Sequence, residues 1–160
     1  MDALTPEFFQ HHQWATVRLL EHCQALGSET LDGVVPGTYG SVIATLRHIS
    51  AADERYLHLL EGTPRRPELT EAAELDLPAL LATTRDRGER WLRLLSAGVD
   101  PTRRITRTRM DGTQDTTDAR TLVVQAIHHG NDHRTQVCTV LGALGLDVPD
   151  LDAWTYYSEL

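Results

Sequence analysis

Two histidines four positions apart, His129 and His133, stand inside a long apolar-periodic segment that reads as one helix from about Asp118 to Leu144. On a helix, residues at that spacing lie only about 40° apart in azimuth and roughly 6 Å apart along the axis, so both imidazoles leave the same face. Two neutral imidazoles so placed can hold one divalent cation when another segment supplies a third ligand. His48, in an earlier helical segment, is the candidate for that third nitrogen. Three neutral nitrogens leave a coordination position open on zinc or nickel. A water held there has its pKa drawn toward about 7. A thiol held there ionises to a nucleophilic thiolate. The i,i+4 pair alone is a weak signal, because solvent-facing helices also carry such pairs. The intervening Gly130-Asn131-Asp132 disfavours a helix, Gly by roughly 1 kcal/mol relative to Ala, which calls for a packing or site reason, a close helix crossing among them.

The elements that must position these residues show as amphipathic periods. Thr5 as N-cap and Pro6 at the first helical position open a helix with Phe8, Ala15, Leu19 and Leu26 at apolar spacing, and Gly27 can end it. A turn-rich loop through Asp32-Gly33 to Gly40 follows. Ser41 restarts the helix, which runs to about Glu61 before Gly62 stops it. Its main apolar stripe is Val42, Leu46, Ile49, Tyr56 and Leu60. His48 lies on a neighbouring stripe whose members are mostly small (Ser41, Ala44, Thr45, Ala51, Ala52, with Leu59), which leaves room around an imidazole. Arg65 to Thr70 is a polar connector. A third helix is expected from about Asp76 to Ala97, and its charged middle (Arg85, Asp86, Arg87, Glu89, Arg90) reads as a solvated face. Arg103 to Thr117 reads as a weakly apolar hairpin or extended loop turning at Asp111-Gly112. Thr117 or Asp118 caps the long fourth helix and Gly145 ends it. The acidic, aromatic tail from Asp147 to Tyr157 fits one last helical turn. The expected fold class is all-α, a four-helix bundle with a short hairpin or extended loop before the last long helix, in a single domain over 1–160.

Composition narrows the chemistry. A net charge of −8 argues against a nucleic-acid backbone as partner, which needs a basic face. All 15 basic residues are Arg, so no lysine Schiff base, catalytic lysine or P-loop lysine is available. Cys23 and Cys138 lie far apart in sequence, without zinc-pair spacing or a CxxC motif, and read as buried thiols of a reducing cytoplasm. No apolar stretch approaches the ~18 residues of a membrane span, and no leader-like segment opens the chain, so the expectation is a cytoplasmic protein without a membrane partner. No Ser sits in a nucleophile motif.

Other polar residues have ordinary readings beside functional ones. His11 and His12 sit on the first helix, where either can approach the core, while His128 is rotated about 100° from His129 and should face elsewhere. His22 and His58 read as surface or helix-end residues. Asp53 and Glu54 are candidate carboxylates behind a metal-bound imidazole, with a helix-surface ion pair to an Arg as the commoner role. Arg134 should make a helix–helix or dimer salt bridge, or bind a carboxylate from the pocket rim. Gln136, on the His133 stripe, can hydrogen-bond within the site. Trp14, Trp91 and Trp154 read as core.

His129-Gly130-Asn131-Asp132-His133-Arg134-Thr135-Gln136 resembles the HxxxHRxQ signature of the DinB/YfiT-like superfamily of metalloenzymes. Leu46-Arg47-His48-Ile49 with Asp53-Glu54-Arg55-Tyr56-Leu57 resembles that superfamily's second-helix motif, and the Trp14 region and the Leu144 to Asp152 ending are similar to its first helix and close. The chain departs from the pattern at Thr16 to Arg18, which lack an expected Asn, and at Asp132, where many relatives carry a second His. The resemblance implies an up-down-down-up four-helix bundle, commonly a homodimer, with a divalent metal on His48, His129 and His133. It also implies thiol-dependent chemistry, since characterised relatives include S-transferases and a maleylpyruvate isomerase that use mycothiol or bacillithiol. The expected function is thus a metal-dependent enzyme acting on a small molecule, a thiol S-transferase or hydrolase. The alternative is a non-catalytic metal-binding or structural bundle acting in a stress response or through a partner.

Overall fold

A computed structural model describes residues 4–108 and 111–160, with the side chains of Leu4, Thr5 and Ala72 excepted. The chain is mostly helical with one small antiparallel sheet. Its elements in order are α1 (Leu4–Gln24), a short α2 (Ser28–Leu31), α3 (Val42–Glu61), α4 (Leu77–Ala97), strands β1 (Arg104–Thr108) and β2 (Gln114–Asp118), α5 (Ala119–Ala143) and a short α6 (Ala153–Ser158). Two 3-10 turns, Pro67–Leu69 and Glu71–Ala73, lie between α3 and α4.

Local chemistry sets most of these boundaries. The Ser41 side chain accepts the Ala44 N–H at the start of α3, and Gly62 ends that helix at φ 69, a left-handed value that glycine adopts without strain. Asp76 caps α4 through Ala79 N–H, and Asp152 caps α6 through Thr155 N–H. Asp118 occupies the N-cap position of α5 but makes no capping bond; its carboxylate is taken by Arg104 and Arg120 instead. The Thr5 cap falls on a side chain outside the described residues. Gly27 does not close α1, which ends at Gln24; it stands at the N-cap position of α2, a turn too short to register as a period.

The long helices pack around a shared interior, α1 against α4 and α5, and α3 against α4 and α5. Two apolar clusters fill it. One holds Phe9, Tyr56, Trp91, Ile105, Leu122 and Ala126; the other holds Leu19, Leu46, Leu80 and Val137. On every long helix buried polar residues stand at or beside the junction of the two clusters: His12 and Thr16 on α1, Ser50 and Asp53 on α3, Thr84 and Arg87 on α4, Arg134 on α5. A polar layer therefore crosses the interior at mid-height. The charged middle of α4 is consequently a solvated face only in part: Arg85, Asp86 and Glu89 are exposed, while Arg87 and Arg90 turn inward. Arg87 is only 1% exposed, and its guanidinium donates to Ser50 Oγ at 2.6 Å and to Thr84 Oγ1 at 3.1 Å. Arg90 reaches in to the buried Glu54 at 2.7 Å.

Two aromatic expectations also change. Phe9, not Phe8, is the core residue of the first turns, and Trp154 is 87% exposed whereas Trp91 is buried. The hairpin exists, with Thr108 paired to Gln114 as the last described pair. Arg109 and Met110 lie outside the described residues. Ile105 alone among the strand residues enters the core, which is why the hairpin pattern was so weakly apolar.

Candidate metal centre

His48 on α3 and His129 and His133 on α5 meet across the α3–α5 seam. One nitrogen from each lies within 4.8 Å of the other two. His48 Nε2 and His129 Nε2 are 2.9 Å apart, one donating to the lone pair of the other. The His133 ring lies 4.4 Å from that of His129 and 4.6 Å from that of His48, centroid to centroid. Two zinc–nitrogen bonds of about 2.1 Å at a tetrahedral angle would put ligand nitrogens about 3.4 Å apart. The 2.9 Å pair lies below that value and the 4.8 Å limit of the group above it, so a single ion is reached by adjustment of the rings. Among the described residues no fourth His, Cys, Asp or Glu joins the group. All three side chains are only partly buried, so the open side of the cluster faces solvent rather than packed core.

Partners on the far side of two rings orient their lone pairs. His48 Nδ1 is 2.9 Å from Glu71 Oε1, and a carboxylate can only accept, so the proton sits on Nδ1 and Nε2 is left free to ligate. His133 Nδ1 donates to Gln136 Oε1 at 3.2 Å, with the same consequence for its Nε2. Gln136 Oε1 accepts a second bond, from the backbone N–H of Tyr39 at 2.8 Å. That bond anchors the α2–α3 loop over the cluster. Tyr39 then stacks on His48, with centroids 4.0 Å apart and planes at 23°, and its hydroxyl donates to Glu71 Oε2 at 2.9 Å. Tyr39 thus covers one face of the His48 ring.

The electrostatics favour uncharged rings. Burial, with His133 and His48 as close neighbours, pushes His129 down to about 4. Burial and His48 lower His133 as well, against the opposing bond from Gln136. Burial would raise Glu71, but the bonds from His48 and Tyr39 hold its carboxyl below the usual range. An imidazole must be neutral to bind a metal, and near pH 7 His129 and His133 already are.

The remaining polar candidates go elsewhere. His12 is buried but sits in the mid-height layer, with Nε2 3.1 Å from Asp53 Oδ2, so neither it nor Asp53 touches the three-histidine group. Glu54 is 2% exposed and bound by Arg66 and Arg90, which hold its carboxyl low against the effect of burial; its ion pairs are interior ones, not the helix-surface pair expected. Arg134 does bridge helices, donating to Thr16 Oγ1 at 2.8 Å and to the His12 carbonyl, and lies inside the bundle rather than at a pocket rim. His128 faces away and pairs with Asp132. Gly130 has its reason: a Cβ there would meet His12 Cε1 at 2.3 Å, so α1 packs directly on the α5 backbone. The carboxylate behind His48 is Glu71, which sequence periodicity could not single out because it lies in a 3-10 turn.

A family model described as "DinB family" matches residues 1–159. The chain belongs to the DinB family. No curated protein matches it significantly. Family membership and a three-histidine cluster together are consistent with a metal-binding DinB-like protein, and the cluster is made of residues from the two motifs that carried the resemblance. No helix among the described residues is long and apolar enough to cross a membrane.

Proposed function

We propose that this DinB-family chain is a divalent-metal-dependent enzyme whose zinc or nickel is held by His48, His129 and His133. The observation that carries this reading is the convergence of three imidazole nitrogens within 4.8 Å with no fourth protein ligand among the described residues. Bound there, the metal supplies a Lewis acid with a coordination position for a small molecule. The protein's part is to keep His129 and His133 neutral, to fix the His48 lone pair through Glu71, and to hold Tyr39 against the His48 ring. We read the reaction as S-transfer with a low-molecular-weight thiol, or as hydrolysis. The long helices fit an up-down-down-up four-helix bundle forming one domain, and we further propose a cytoplasmic homodimer. Sedimentation of the purified protein at micromolar concentration tests the dimer, and a monomer would refute it.

A second reading, a metal-binding or structural bundle without turnover, draws on one observation. The Glu71 carboxylate beside the cluster is bonded to His48 and to the Tyr39 hydroxyl, so neither Glu71 nor Tyr39 is free to move a substrate proton. Elemental analysis of the untagged protein beside its His129→Ala variant tests the metal reading. The expected result is near-stoichiometric zinc or nickel in the parent and its loss in a variant with unchanged circular dichroism. Failure of the parent to take up either ion, even when supplied, would overturn it.

A further inference from the structure

A cleft of about 410 Å³ lies between α3 and β1, lined by Arg55, Tyr56, Leu59, Arg65, Thr106 and Arg107. It gathers three guanidinium-bearing residues in a chain whose net charge is −8. Arg107 is neutralised by a bidentate pair with Asp115. Arg55 and Arg65 have no hydrogen bond or ion pair with any described residue, and Arg55 instead rests its guanidinium carbon 5.6 Å from the centre of the Tyr56 ring. An arginine parked on an aromatic face keeps its fork of donors available to a planar anion.

The cleft adjoins the histidines. Arg55 follows His48 by seven positions on α3, two turns on, which returns it to within about 20° of the same azimuth and roughly 10 Å along the axis. Tyr56 forms the shared wall, lining the cleft while its ring meets His129 edge-on at 6.1 Å. We infer that this cleft is the anion subsite of the metal centre: Arg55 receives the carboxylate of an elongated substrate or cosubstrate whose other end reaches the three histidines. The inference rests on the metal reading above and adds the ligand's charge and length to it.

Calorimetric titration of zinc-loaded protein with 6-mercaptohexanoate and with 6-mercaptohexanol tests it, since the two probes match in length and differ in charge. The parent should bind the carboxylate about tenfold more tightly, the scale of one charge-assisted hydrogen bond. Arg55→Gln should abolish that preference while leaving the affinity for the alcohol and the zinc content unchanged. Arg93→Gln, which removes an exposed charge on α4, should leave the preference intact. Equal affinities in the parent, a preference that survives Arg55→Gln, or its equal loss in Arg93→Gln would each overturn the anion subsite alone. A parent that takes up no zinc would overturn the metal reading and this inference with it.

Discussion

Removing the Glu71 carboxylate isolates what lies behind the histidines from the histidines themselves. Glu71 is solvent-facing: its side chain is 42% exposed and is bonded to His48 Nδ1 and the Tyr39 hydroxyl. Glu71→Ala should therefore change global stability by no more than about 0.5 kcal/mol, as for other solvent-facing substitutions. Zinc affinity should respond much more. Without its acceptor, His48 can rotate or take up the other tautomer, placing the proton on the nitrogen that ligates. Loss of such an outer partner typically weakens metal binding 10–100-fold, which is about 1.4–2.7 kcal/mol. Glu71→Gln, which keeps an acceptor but loses the charge, should fall between parent and Glu71→Ala. Tyr39→Phe, which retains the ring stacked on His48 and removes one bond to Glu71, should cost less than either. Competition against a chromophoric chelator measures the affinities, and denaturant unfolding of the metal-free proteins measures stability. A Glu71→Ala affinity within twofold of the parent would refute the argument that this carboxylate orients His48. So would a loss of metal that merely tracks a loss of fold.

Two further outcomes follow from the interior. Gly130→Ala gains roughly 1 kcal/mol of helix propensity but sets a Cβ 2.3 Å from His12 Cε1 and 2.9 Å from Arg134 Nη1. His12 is pinned between Asp53 and Arg134 and cannot yield, so a net loss of about 1–3 kcal/mol is expected in denaturant unfolding. The metal-free protein should also lose stability on acidification. His129 has a folded value near 4 against an ordinary 6.5, so between those limits the unfolded chain binds the proton that the folded chain refuses. Stability contributed by the neutral ring is complete above about pH 7 and falls as pH drops from about 6.5 to 4, by about 2 kcal/mol after allowing for solvent around a partly exposed ring. His133, lowered in the same sense, adds to the fall, and His129→Ala should flatten the profile measured by unfolding at a series of pH values.

The helices were legible because their signals are local. Ser41, Gly62 and Asp76 act at the positions where capping chemistry expects them, and the Val42-Leu46-Ile49-Tyr56-Leu60 stripe is buried throughout. The histidine cluster was legible because i,i+4 spacing is a property of one helix, and His48 brought a second motif. Glu71 and Tyr39 were not, since each belongs to a connection without period and reaches the site only through the packing of that connection on α3 and α5. Burial of Arg87 and Glu54 was hidden for the opposite reason. A charged residue on an amphipathic helix carries no local mark that another helix will supply its partner.

That hidden layer bears on the site. α1 contributes no nitrogen to the cluster, yet its His12 and Thr16 hold residues on both helices that do. His12 takes Asp53, five positions past His48, and Thr16 takes Arg134, the residue after His133. Apolar packing holds α3 and α5 together, but paired polar groups specify their alignment more sharply than apolar contacts do. A buried donor or acceptor is not interchangeable, since moving it off its partner leaves it unpaired at a cost of about 1–3 kcal/mol. The polar layer therefore fixes the register of α3 against α5. The cluster needs that register, because three imidazoles brought together from two helices converge on one point only at a single alignment of those helices.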